Sequence, residues 1–104
     1  MQFLILRIVY EKPSYGYEII RRIEELSEGR HKIESGTMYT LLRRMEQNKL
    51  VTSVWKKSKD GPNKRTYKVT KKGEQYLKTW LEMIIERKTM IDKMAAFYDE
   101  HFGR

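Results

Sequence analysis

The chain has 104 residues, 39% apolar and 35% charged, with a formal charge of +8 and no cysteine. This length suits one modest folded domain that gains from a partner chain, and the absence of cysteine excludes disulfides and thiol chemistry. The basic excess points to an anionic partner, with nucleic acid ahead of an acidic membrane surface.

The excess is concentrated rather than spread. Lys56–Lys72 holds eight lysines and arginines against Asp60 alone, whereas a merely solubilising surface would distribute its charge. No run approaches the ~20 apolar residues of a membrane span. Arg7 interrupts the apolar run Phe3–Leu6 and Ile8–Val9, and no small-residue cleavage site follows, so the cytoplasm is the expected compartment. His31 and His101 stand far apart without ligand-spaced companions, so no metal or other cofactor is expected.

Gln2–Glu11 is apolar almost all the way round. Its length fits a strand or a short buried helix; a helix is the preferred reading, and it must be covered on more than one side. Pro13 stops this element and Ser14 is the expected cap of a second helix, Ser14–Ser27, with Tyr15, Ile19, Ile20, Ile23 and Leu26 as its apolar stripe. Gly16 is costly inside a helix and suggests a close backbone approach; Gly29 is the C-cap candidate. Ile33 is expected to tuck inward from the short connection that follows.

Ser35–Leu50 reads as a helix with two unlike faces. Met38, Leu41, Leu42 and Met45 recur at helical spacing on one side. Gly36, Thr40, Arg43 and Gln47 point the opposite way, with Tyr39 and Arg44 on the shoulders. Hydroxyl, guanidinium and amide groups on one exposed face suit base edges and phosphates in a major groove, although an ordinary surface helix has the same pattern. Ser35 is the expected N-cap, and Asn48, which tolerates the left-handed conformation, the expected C-cap.

Val51–Lys57 and Arg65–Thr70 are rich in β-branched and aromatic residues and flank the turn formers Ser58 to Lys64, which predicts a two-stranded hairpin with a basic tip. Lysines can simply protect an exposed edge; eight against one acid favours an arm that lies along phosphates. Thr70 then caps a last helix running from Lys71 to about His101. Leu77, Leu81, Ile84, Lys88, Ile91, Ala95, Tyr98 and Phe102 follow heptad steps, broken once by Lys88. So long an apolar stripe exceeds what the rest of the chain can cover, and a homodimer follows, with Phe3, Leu4, Leu77, Leu81, Ile84, Ile91, Met94 and Tyr98 at its interface. The alternative is that the first half of this helix covers its own domain while the second half frays.

Three helices and a basic hairpin are the order of a winged helix-turn-helix: a mainly α fold with a two-stranded β wing, residues 1–72, followed by a dimerisation helix, residues 73–104. The segments Pro13–Ile19, Ser35–Glu46 and Lys64–Gly73 resemble the PadR family of transcriptional regulators over nearly the whole chain. The single C-terminal helix is similar to the family's short subgroup. Thr40 stands where the family often has proline, and Thr66 where another basic or aromatic residue is commoner. The resemblance implies a dimeric regulator, usually a repressor, on a pseudo-palindromic double-stranded operator. It implies a recognition helix in the major groove and a wing on the flanking backbone or minor groove.

On that frame Tyr39, Thr40, Arg43 and Gln47 are the candidates for base or sugar contact, and Ser35, Thr37 and Arg44 hold the backbone register. Lys56, Lys57, Lys59, Lys64 and Arg65 neutralise phosphates from the wing. In some relatives small aromatic compounds bind between the C-terminal helices. Here Tyr76, Trp80 and Ile84 would line such a space, with plain interface packing of Trp80 as the competing reading. An adaptor that kept the fold but lost DNA is the rival function, and an enzyme is disfavoured because no nucleophile–base pair or phosphate-binding glycine loop is visible.

Overall fold

The computed structural model describes residues 1–57 and 61–103. Lys59, one of the wing lysines expected to meet phosphate, lies outside the described residues. The elements run α1 (Gln2–Glu11), β1 (Ser14–Tyr15), α2 (Gly16–Leu26), α3 (Ser35–Gln47), β2 (Val51–Lys56), β3 (Lys64–Val69) and α4 (Lys71–His101).

The helix α1 is the hub. Its Ile5, Leu6, Ile8 and Val9 are buried, because α2, β3 and α4 all pack against it. That is the covering an all-round apolar helix requires. Ile19 and Ile23 from α2 and Met38, Leu42 and Met45 from α3 complete the core, each with no exposed surface. Ile33 and Leu41 pack on its margin, half-buried.

The sheet differs from the expected hairpin. It has three antiparallel strands in the order β1-β3-β2. Pro13 disfavours helical backbone at the residue before it, and Lys12 is extended, at φ −161 and ψ 130. The chain therefore passes straight through Ser14 and Tyr15, which pair with Tyr67 and Thr66 of β3. Ser14 is thus a strand residue rather than a helix cap; its hydroxyl donates to the Lys12 carbonyl at 2.8 Å. The helix α2 begins two residues later, where Glu18 reaches back to accept from the Tyr15 N–H at 3.2 Å.

Two cap assignments also move, and a third keeps its place without the left-handed backbone expected of it. Ser35 is the first residue of α3, and Glu34 stands at the N-cap without a side-chain bond. Asn48 is the C-cap, as expected, but at φ −83 it is not left-handed; Lys49, at φ 61, is. The N–H of Leu50 donates to the Met45 carbonyl and that of Lys49 to Glu46, which is the paired closure of a Schellman motif, with the left-handed residue one place beyond the cap. The same closure ends α2: Gly29 donates to Glu24 and Glu28 to Glu25. Ser27 is its C-cap, and Glu28 at φ 54 and Gly29 at φ 80 carry the turn.

Thr70 caps α4 as expected. Its hydroxyl oxygen accepts from the Gly73 N–H at 3.0 Å and lies 2.6 Å from the Lys49 carbonyl oxygen to which it donates. Lys72 Nζ donates to the Asn48 carbonyl at 3.0 Å. The turn after α3 therefore holds the start of α4. Leu77 is only 5% exposed and belongs to the chain's own core, which corrects its placement at a dimer seam. From Leu81 onward the helix runs out exposed, which gives the molecule its 59 Å length against 28 and 20 Å in the other directions. No helix of the described residues is long and apolar enough to cross a membrane.

Candidate nucleic-acid interface

Burial of Met38, Leu42 and Met45 fixes the rotation of α3 and turns Gly36, Thr37, Thr40, Arg43, Arg44 and Gln47 to solvent. Tyr39 is 43% exposed on the shoulder. The Thr40 hydroxyl donates to the Gly36 carbonyl at 3.0 Å, so Thr40 offers a ligand its oxygen lone pairs and its methyl group.

The wing rises beside this face. In the β2–β3 register Lys56 stands opposite Lys64. Like charges placed directly across a strand pair weaken it, so this juxtaposition suits an anionic partner better than it suits the hairpin. Lys56 and Lys57 are exposed. Lys64 Nζ lies 4.3 Å from the centre of the Tyr15 ring, an attraction that holds the ammonium over the angle between wing and helix.

A recess of about 460 Å³ separates α3 from the wing. Tyr39, Arg43 and Glu46 line it from the helix, Trp55, Asn63, Lys64 and Arg65 from the wing, and Tyr15 and Tyr67 at the base. Thus Tyr39, Arg43, Lys64 and Arg65 converge, whereas Ser35, Thr37, Thr40, Arg44, Gln47, Lys56 and Lys57 lie outside the recess on exposed surface. Arg65 is not a free cation. Its guanidinium pairs with Glu46 Oε1 at 3.1 Å, its Nε donates to Ser53 Oγ at 2.7 Å, and it lies 5.9 Å from the Trp55 ring centre. Burial pushes the Tyr67 phenol above its usual 10.0, against the lowering pull of the Arg65 guanidinium, so Tyr67 remains a neutral base to the recess.

Five contributors carry no mark of the site in the sequence: Tyr15, Glu46, Trp55, Asn63 and Tyr67. The nearest to a signal is the isolated aromatic at position 55, next to a lysine run. Glu46 carried none, because its partners come from the wing. Gly16 does serve close approach, but to a side chain: a Cβ there would sit 2.8–2.9 Å from two ring carbons and the hydroxyl oxygen of Tyr39.

The sequence model of the family described as "Transcriptional regulator PadR-like family" matches residues 5–79. The chain belongs to this family. An uncharacterised protein of Lysinibacillus sphaericus is 30% identical over 89 residues, spanning 86% of this chain and 82% of that relative. A PadR-like transcriptional regulator from Bacillus cereus superposes with a TM-score of 0.78 at 26% identity, covering 90% of this chain and 89% of that one. Bacillus subtilis PadR, solved in complex with operator DNA, gives a TM-score of 0.70 at 21% identity over 77% of this chain and 45% of that one, a likeness of fold. The shared fold is the winged helix with four helices and a small antiparallel sheet.

In this PadR-like chain the residues expected to meet an effector are only partly gathered. Tyr76 and Trp80 border a hollow with Phe3, Lys72, Gln75, Thr79 and Met83, and Ile84 is absent from its lining. Phe3 stacks on Trp80 at 4.6 Å and on Tyr76 at 5.4 Å. Phe3 and Leu4 pack against the chain's own core as half-buried residues, so their part in any seam is marginal. Ile84, Ile91, Met94 and Tyr98 are 45%, 63%, 62% and 60% exposed.

Proposed function

We propose that this PadR-like chain is a homodimeric, sequence-specific DNA-binding regulator that acts in the cytoplasm, usually to repress. The observation that carries this reading is the recess: Arg43 from the recognition helix and Lys64 from the wing face the same open angle. Two recognition helices, held about 34 Å apart by the dimer, enter successive major grooves of a pseudo-palindromic operator. Tyr39, Thr40, Arg43 and Gln47 meet bases or sugars; Ser35, Thr37 and Arg44 hold the register; Lys56, Lys57, Lys59 and Lys64 neutralise phosphates. Arg65 contributes mainly by bracing the wing. Residues 1–72 form the DNA-binding part and residues 73–104 the dimerisation helix.

The exposed apolar length of α4 supports the dimer, since large uncovered apolar surfaces mark interaction sites. Leu81, Ile84, Ile91, Met94 and Tyr98 carry its seam. A small aromatic compound is the class of effector that suits Tyr76 and Trp80, with Phe3 already covering one face of the indole.

Selection of bound duplexes from a random pool, followed by sequencing, tests the whole reading. The expected result is a motif with two-fold symmetry and half-sites one helical turn apart. A pool that emerges as random as it entered defeats the proposal.

Gly16→Ala probes the interface from behind. Tyr39 is the far end of a flexible side chain, so its ring swings aside rather than forcing the backbone apart. The stability of the fold is expected to change by less than about 1 kcal/mol, because helix propensity offsets the crowding. Affinity for the selected duplex is expected to fall severalfold, because Tyr39 is displaced from the recognition face. Thermal melting and duplex titration check the two halves; unchanged affinity would remove Tyr39 from the interface.

A further inference from the structure

Resting on the regulator reading above, we infer that Glu46 is a positioning residue for operator discrimination: through Ser53 and Arg65 it locks the wing to the recognition helix and restrains indiscriminate grip on phosphate. Three hydrogen bonds close a ring across the two elements. Ser53 Oγ donates to Glu46 Oε2 at 2.7 Å, Arg65 donates to Glu46 Oε1 at 3.1 Å, and Arg65 Nε donates to Ser53 Oγ at 2.7 Å. The strand register places Ser53 opposite Tyr67 and Arg65 opposite Trp55. Ser53 and Arg65 are therefore diagonal neighbours that approach α3 from β2 and β3, so both wing strands are tied to one carboxylate.

The arrangement does little as a plain stability device. The Arg65 and Glu46 side chains are 43% and 30% exposed, and half-solvated ion pairs contribute little to folding. Its consequence lies in charge and geometry. Glu46 is the only acidic residue among the described residues lining the recess, beside Arg43, Lys64 and Arg65. It neutralises Arg65, which removes one phosphate-seeking cation from a surface that otherwise attracts any duplex. It also fixes the angle of the wing, so that Lys64 reaches backbone when α3 is seated in a groove of the right spacing. A wing released from this tie is free to grip phosphates anywhere.

The test uses the full chain, wild type and two variants, titrated across a salt series on a duplex recovered by selection and on a random duplex of equal length. Glu46→Gln removes the charge. Its expected signature is tighter binding to the random duplex, a log-affinity versus log-salt slope steeper by about one, and a selected-to-random affinity ratio about tenfold lower. Ser53→Ala removes the bridge without changing charge; the ratio is expected to fall while the slope stays at the wild-type value. Either of two results overturns the inference. One is a wild-type ratio in both variants. The other is an equal weakening on both duplexes with an unchanged slope and a lowered melting temperature, which is the behaviour of a merely structural contact. A wild-type chain that fails to distinguish the two duplexes overturns the regulator reading itself, and with it the ground for this inference.

Discussion

Replacing Gly73 by alanine is expected to lower the unfolding free energy by about 3 kcal/mol or more, at the upper end of what overpacking costs. Gly73 is buried in the first turn of α4. A Cβ there would overlap the Leu50 carbonyl oxygen outright and come within 2.9 Å of Val69 Cγ2. The obstacle is backbone that cannot move aside. The Leu50 oxygen accepts from the Thr70 N–H at 3.1 Å and lies 3.1 Å from the Thr70 hydroxyl. The left-handed turn at Lys49 sets its position. Relief therefore requires α4 to lift from the turn, which breaks the Thr70 cap, worth about 1 kcal/mol by itself, and loosens Leu77 from the core. Better helix propensity returns at most about 1 kcal/mol. Gly36→Ala is the control, because a Cβ there meets nothing within 4 Å; its stability should hold or rise slightly. Urea midpoints at unchanged m-value measure both. A Gly73→Ala midpoint equal to wild type would mean that the junction between α3, the wing and α4 is looser than described.

That junction also explains what could be read from the chain and what could not. The limits of α1, the Thr70 cap and the two faces of α3 follow from local signals: an uninterrupted apolar run, a hydroxyl before a helical pattern, and apolar residues at steps of three and four. Strand β1 left no such trace. Two residues have no period, and their partners Thr66 and Tyr67 lie far along the chain, so only the folded sheet recruits them. The left-handed residue after α3 stands one place beyond the asparagine that local preference marks. Asparagine tolerates that conformation, but the hydrogen-bonding of the Schellman closure assigns it to the residue after the cap, which is Lys49. Leu77 illustrates a different limit. A heptad pattern marks an apolar stripe without saying whose surface covers it, and here the chain's own core takes the first turns of that stripe while Leu81 and those beyond stay open.

The site divided along the same line. Arg43, Thr40 and Gln47 were legible because the helix period alone separates them from Met38, Leu42 and Met45. The wing lysines were legible as a charge run. Charge alone marks Arg65 for phosphate, and its engagement with Glu46 and Ser53 depends on the angle between hairpin and helix, which neither segment encodes by itself. Tyr15 reaches the recess only because β1 exists, and Gly16 matters only because Tyr39 folds back over it.

Arg43→Ala and Lys64→Ala should separate base reading from phosphate grip. Arg43 takes part in no ion pair among the described residues; its guanidinium is exposed and borders the recess from the helix side. A planar guanidinium on a seated recognition helix makes paired hydrogen bonds to guanine, so its removal should cost about 1–3 kcal/mol on the selected duplex and much less on a random one. Lys64 is held over the Tyr15 ring on the wing, a position for a point charge against the backbone. Its removal should weaken both duplexes alike and reduce the salt slope by about one. The decisive measurement is the affinity of each variant on both duplexes across a salt series. Equal losses on the two duplexes for Arg43→Ala, together with a reduced slope, would move that arginine from the reading face to the phosphate contacts. Sequence preference would then have to come from Thr40, Tyr39 and Gln47, of which only the Gln47 amide can make paired hydrogen bonds to a base, adenine.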